Sequence, residues 1–142
     1  MGAVILALTL QLSGDGSEVQ LSDVQLLNQG DEAERMRAAR RVGERKDKDA
    51  VDTLIQNLNH PNQYVRGWAA WALGEIGDPA AIAPLEQAIA RYRAMVPNFN
   101  HPQKGVSLDG FFRETKCLED MYPALRKLRA KRIASFFPGL PF

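Results

Sequence analysis

Between residues 62 and 95, apolar side chains recur at helical rather than strand spacing. Val65, Ala69, Ala72, Leu73 and Ile76 form one narrow stripe, and Ile82, Leu85 and Ile89 form another. The alanines in the first stripe allow a neighbouring helix to come close. Between the stripes, Gly74 and Gly77 weaken a helix end, Asp78 suits an N-cap and Pro79 suits the first position of a new helix, which is expected to run to about Met95. The preceding stretch repeats this pattern without a gap. Arg35 and Arg66, Ala38 and Ala69, Ala39 and Ala70, Val42 and Leu73, Gly43 and Gly74, Asp47 and Asp78, Val51 and Ile82, Leu54 and Leu85, and Leu58 and Ile89 all stand 31 positions apart. Asp47 is predicted to cap a helix carrying Val51, Leu54, Ile55 and Leu58, and Asn59-His60-Pro61-Asn62 breaks the chain between the two units.

The ends are less regular. Asn59-His60-Pro61 followed by Val65 recurs as Asn100-His101-Pro102 followed by Val106, an offset of 41, which places ten extra residues around Tyr92 to Asn100. A degenerate third unit would then start with a helix capped by Asp109 and holding Phe111, Phe112, Thr115, Leu118 and Met121. Pro123 would open a final helix with Leu125, Leu128 and Ile133. At the other end Leu6, Leu8, Leu10 and Leu12 alternate with Ala7, Thr9 and Gln11, and Ser13-Gly14-Asp15-Gly16 is turn-like, so a hairpin returning through Glu18 to Leu21 is the preferred reading. A cap helix competes with it, because Gly14-Asp15 followed by Val19 mimics Gly77-Asp78 followed by Ile82. Ser22 to Leu27 reads as a short helix with Leu21, Val24 and Leu27 turned to the first unit. The expected fold is all-α, a short solenoid of helix pairs with a small N-terminal β-hairpin or irregular cap. It forms one domain: cap 1–30, first repeat 31–61, second repeat 62–95, and 96–142 holding an insertion loop, a degenerate third repeat and an apolar tail.

The run Val65-Arg66-Gly67-Trp68-Ala69-Ala70-Trp71-Ala72-Leu73-Gly74-Glu75-Ile76-Gly77-Asp78-Pro79, continuing through Ile82, Pro84 and Leu85, resembles a HEAT-like repeat of the phycobilisome-lyase type. The resemblance is close over 64–90 and good over 33–59. It implies a structural role for Arg35, Asp47, Arg66 and Asp78 as a polar ladder joining successive units. It also implies one functional alternative, a bilin lyase-related subunit or pigment–protein assembly factor in which the aromatic residues stack on a tetrapyrrole. No His-Glu dipeptide occurs, so the iron-binding pattern of HEAT-type hydroxylases is absent.

Composition narrows the function classes further. The chain has 142 residues, 45% hydrophobic and 25% charged, which is ordinary globular usage. Its net charge of +1 gives no whole-chain bias toward nucleic acid, and its single cysteine, Cys117, excludes an internal disulfide or a cysteine-based zinc site. Met1 to Leu12 is uncharged and apolar but has no basic n-region, and it is shorter than the ~20 residues needed to cross a bilayer. A cytoplasmic protein without a membrane span is the expectation. Charge is polarised: residues 1–34 carry six acids and no Lys or Arg, and residues 121–142 carry five bases and no acid. Such ends, or the edge of an N-terminal hairpin, suit a homo-oligomer.

Catalytic signatures are missing. His60 and His101 sit in Asn-His-Pro turns, and no phosphate loop, dinucleotide glycine pattern or nucleophile elbow occurs. No metal, cofactor or catalytic residue is expected. Cys117 lies beside Lys116 with no histidine near it in sequence, and reads as a packed or partly exposed thiol.

Candidate binding surfaces carry more information. Tyr64, Trp68 and Trp71 share one helix face, and the first unit has Ala33, Arg37 and Arg40 at those places, so the repeat itself does not demand aromatics. They are either covered by the insertion or the tail, or free to anchor a partner. Tyr92, Met95 and Phe99 of the insertion and Phe136, Phe137 and Phe142 of the tail are further partner-binding candidates. The function expected is a non-catalytic protein–protein interaction module: an adaptor, assembly factor or small subunit of a complex. A second alternative is anion or nucleic-acid binding through the basic run Arg126 to Arg132, whose simpler role is the wet face of an amphipathic helix.

Overall fold

The computed structural model describes residues 21–95, 108–136 and 138. The hairpin or cap helix expected over 1–20, the Asn100-His101-Pro102 motif and most of the apolar tail lie outside the described residues. The described residues form six α-helices: α1 (Asp23–Gln29), α2 (Glu32–Arg45), α3 (Val51–Asn57), α4 (Gln63–Ile76), α5 (Ile82–Met95) and α6 (Leu108–Phe136). There is no strand among the described residues.

Local chemistry sets the helix ends. Ser22 with Gln25, and Asp31 with Glu34, form reciprocal capping boxes at the starts of α1 and α2. Asn62 accepts from the Tyr64 amide at 2.8 Å to start α4, and its own amide donates to Glu32 of α2 at 2.6 Å, tying the two starts together. Asp47 and Asp78 do cap, but each caps a single 3-10 turn, Lys48–Ala50 and Pro79–Ala81, that leads into α3 and α5. At the ends of α2 and α4 the equivalent residues Lys46 and Gly77 both turn left-handed, with φ of 55° and 79°. The backbone demand is therefore the same in both units, although only one meets it with glycine.

Packing repeats as the sequence does. α4 lies between α2 and α6, and α1, α3 and α5 each pack against the even-numbered helix that follows. Ala38, Ala39, Ala69, Ala70 and Ala72 are buried at these contacts, and Leu27, Leu54, Leu58, Leu73, Leu85, Leu118 and Leu128 fill the core. α1 meets expectation through Leu27, which is fully buried, and Val24, which packs on the core; Leu21 is exposed instead.

The third unit differs from the sequence reading. α6 is one continuous helix, and Pro123 lies inside it rather than at the start of a new one. Met121, Ala124, Leu125 and Leu128 are all buried along one side of α6, while Pro123 is on the exposed side. That shared apolar face holds the helix together where the proline removes a backbone donor. Ile133 points outward. The register is also corrected. Cys117, Met121, Ala124, Leu125 and Leu128 are buried where Val65, Ala69, Ala72, Leu73 and Ile76 are buried in α4, an offset of 52 rather than 41. In that register, α6 has Arg126 at the place held by Gly43 in α2 and Gly74 in α4.

One ion cluster fixes the entry to the stack. Asp23 of α1 accepts from Arg41 Nε at 2.7 Å and Arg45 Nη2 at 2.6 Å, both from α2. Burial alone would raise its carboxyl, but the hydrogen bonds and charges of the two guanidiniums outweigh it and hold the group below the usual carboxylate range. A depressed carboxyl favours the folded state when ionised. Its contribution is complete above the unfolded pKa and is lost as pH falls through the lower folded value. Asp23→Asn should therefore destabilise at neutral pH. The variant and the parent should converge in denaturant midpoint on acidification from about pH 5 downward, whereas a constant gap across the titration would show that the charge is immaterial.

Candidate functional site

The aromatic face of α4 opens into a cleft of about 490 Å³ bounded by three helices. α2 supplies Arg40 and Glu44, α4 supplies Tyr64, Gly67, Trp68 and Trp71, and α6 supplies Lys116 and Asp120. Tyr64 and Trp68 are 54% and 37% exposed, whereas Trp71 is half-buried against the core. The two indoles meet edge to face, with centroids 5.4 Å apart and planes at 78°. This geometry follows from their spacing, since residues three apart on a helix are surface neighbours. Trp71 also reaches back over α2, and its ring would lie 2.7 Å from a Cβ at Gly43.

The rim is charged but mostly self-compensated. Arg40 pairs with Glu44 and Lys116 with Glu119, each at 2.8 Å. Asp120 is half-buried and makes no hydrogen bond or ion pair with a described residue. Burial pushes its carboxyl up from its ordinary value; Lys116 partly offsets this and Glu119 adds to it. Its Oδ2 sits over Gly67, only 2.5 Å from where a Cβ would be. The sequence reading missed Asp120, Lys116, Arg40, Glu44 and Gly67. The signal that would have found Asp120 is the offset of 52, which pairs it with Trp68 in the corresponding place on α4.

The other candidates are dispersed. Tyr92, expected at a partner surface, is 5% exposed. It donates to the Leu58 carbonyl at 3.0 Å, and its ring carries the Arg66 guanidinium 4.5 Å from its centroid. It belongs to the core because the second helix of the unit extends past it. Phe136, at 68% exposure, stands at the far end of α6. The side chain of Met95, and Phe99, Phe137 and Phe142, lie outside the described residues. Arg66 donates to the His60 and Pro61 carbonyls at 3.0 and 2.8 Å. Arg35 in the equivalent place donates to the carbonyls of Gly30 at 2.8 Å and Asn28 at 2.5 Å, to that of Leu27, and to Asn57 Oδ1 at 3.1 Å. Both arginines thus reach carbonyls in the segment preceding their own helix, where backbone acceptors lack intrahelical donors.

His60 accepts from the Asn62 amide at 3.1 Å within its turn, and burial, helped by Arg35 and Arg66 and opposed by Glu32, lowers its pKa. Cys117 is fully buried. No group of His, Cys, Asp and Glu suited to a metal occurs among the described residues, and none of their helices is long and apolar enough to cross a membrane. The basic run of α6 is largely used within the chain. Lys127 pairs with Glu75, Arg129 with Glu86 at 2.6 Å, and Lys131 donates to the Glu75 carbonyl at 2.9 Å. With Asp23 held by Arg41 and Arg45, the polarised ends of the sequence are partly neutralised internally.

An α-solenoid of stacked helix pairs with an aromatic cleft across its even-numbered helices is the class that fold and site define. The chain belongs to the HEAT repeats family, which matches residues 24–94, half of its length. It is also similar to epoxyqueuosine reductase of Bacillus subtilis (strain 168), 43% identical over 47 residues. That stretch is 32% of this chain and 12% of the reductase, so the chain spans about an eighth of that enzyme's length. No solved structure matches the chain significantly.

Proposed function

We propose that the chain is a non-catalytic protein-interaction module, an adaptor, assembly factor or small subunit, that docks a protein partner in the cleft formed by α2, α4 and α6. The observation that carries this reading is the exposure of Tyr64 and Trp68 at the mouth of a cleft floored by Trp71. HEAT repeats generally serve protein interaction, and aromatic anchors at the centre of a concave surface are where interface energy concentrates. The internal pairing of Lys127, Arg129 and Lys131 weighs against nucleic acid as the partner of α6.

The test begins with recovery of the partner from the native source by co-purification and mass spectrometry. Binding of that purified partner is then compared for the parent and Trp68→Ala. Trp68 is exposed, so the variant should stay folded, and its affinity should fall about 30-fold, as expected for a hot-spot residue worth about 2 kcal/mol. Unchanged affinity in a folded variant overturns the assignment of the cleft. A tetrapyrrole stacked on the same rings, the alternative suggested by the phycobilisome-lyase resemblance, would appear as a shift in bilin absorbance on mixing.

A further inference from the structure

We propose that the cleft receives a cationic side chain, a lysine or arginine of the protein partner, held between the α4 aromatics and the Asp120 carboxylate. This deepens the docking reading and rests on it. Charges are unevenly balanced around the three aromatic rings. Of the four charged residues lining the cleft, Arg40 and Glu44 satisfy one another, and Lys116 pairs with Glu119, which stands outside the lining. Asp120 remains, half-buried between α4 and α6, without a hydrogen bond or ion pair from any described residue. A carboxylate withdrawn from water without a partner is costly, and a cation entering the cleft would relieve that cost.

The surroundings favour the same occupant. Tyr64, Trp68 and Trp71 line the cleft with Asp120, and ring faces attract ammonium and guanidinium groups, Trp most strongly. The methylene stem of a lysine or arginine can lie along such rings while its head reaches the acid. An anionic occupant would meet Asp120 as a like charge and would find the rim cations already paired. Gly67 is what lets the carboxylate settle at this depth, because any side chain there would occupy its place; the corresponding residue of the first unit is Met36. The raised pKa of Asp120 agrees with a carboxylate whose burial Lys116 offsets only in part.

The experiment uses side-chain mimics on the full chain, so no identified partner is needed. n-Butylammonium chloride and n-butanol are titrated separately into ¹⁵N-labelled protein, with sodium chloride matching the ionic strength. The indole N–H resonances of the chain's two tryptophans, Trp68 and Trp71, are followed. Butylammonium should bind at least fivefold more tightly than butanol, and Asp120→Asn should abolish that preference while leaving butanol binding in place. The isosteric change relieves a half-buried charge, so the variant should fold. Equal affinity for the two probes in the parent overturns the cation proposal and leaves the docking cleft standing. A preference that survives in Asp120→Asn overturns the role given to that carboxylate. If neither probe moves either indole resonance, the cleft is not a binding site and the docking reading falls as well.

Discussion

Gly74→Val is expected to lower the unfolding free energy by about 3 kcal/mol, the upper part of the range for overpacking a tight interface. A Cβ at position 74 would stand 2.9 Å from Ala124 Cα and 3.0 Å from Ala124 Cβ. Neither atom belongs to the end of a flexible side chain, so the strain cannot be relieved by a rotamer change. α4 and α6 would have to separate, loosening the burial of Leu73, Met121 and Leu128 together. Alanine is the milder probe, because its gain in helix propensity of about 1 kcal/mol over glycine offsets part of the clash. Denaturant unfolding checks the effect: the midpoint should fall with an unchanged slope. A midpoint equal to that of the parent would mean that the close approach is not what stabilises the α4–α6 contact.

Arg66→Met is expected to cost a similar amount, about 3 kcal/mol. Arg66 is 4% exposed, yet its head makes two carbonyl hydrogen bonds, lies over Tyr92 and has Nη2 3.7 Å from Cys117 Sγ. Methionine replaces the apolar stem and leaves the His60 and Pro61 carbonyls without that donor. Hydrogen bonds from a charged group are worth about 1.5–3 kcal/mol, and the stacking on Tyr92 about 2 kcal/mol when shielded from water. Against these stands the relief of desolvating a guanidinium. Arg66→Lys keeps the charge but not the planar fork, so it should recover less than half of the loss. Thermal unfolding of the three proteins decides the matter, and a lysine variant as stable as the parent would show that the fork geometry is dispensable.

The repeat was legible because it is written twice in the same phase. The offset of 31, the alanine stripe, the Asp47 and Asp78 caps and the end of α5 all follow from local chemistry that tertiary contacts reinforce. The third unit departs from its turn pattern for a physical reason. Asn-His-Pro is a turn signal, and turns recur without fixing the phase of the helix that follows, whereas the buried seam from Cys117 to Leu128 does fix it. Pro123 looked like a helix start because local propensity cannot weigh one lost backbone bond against an apolar face shared by both halves of α6. Tyr92 looked like loop chemistry because its hydroxyl partner, the Leu58 carbonyl, is 34 residues away. The aromatic half of the cleft could be read from spacing on a single helix. Its acidic half could not, since Asp120 meets Gly67 only through the packing of α6 on α4.

Arg126 stands in the place that belongs to Gly43 and Gly74 in the earlier helices. At each earlier junction a missing side chain sets the spacing between neighbours. On α6 the corresponding residue is a long cationic side chain that lines an open groove with Tyr122 and Ile133. A helix pair grafted against that groove would need glycine at position 126 to come as close as α4 comes to α2 and α6 at Gly43 and Gly74.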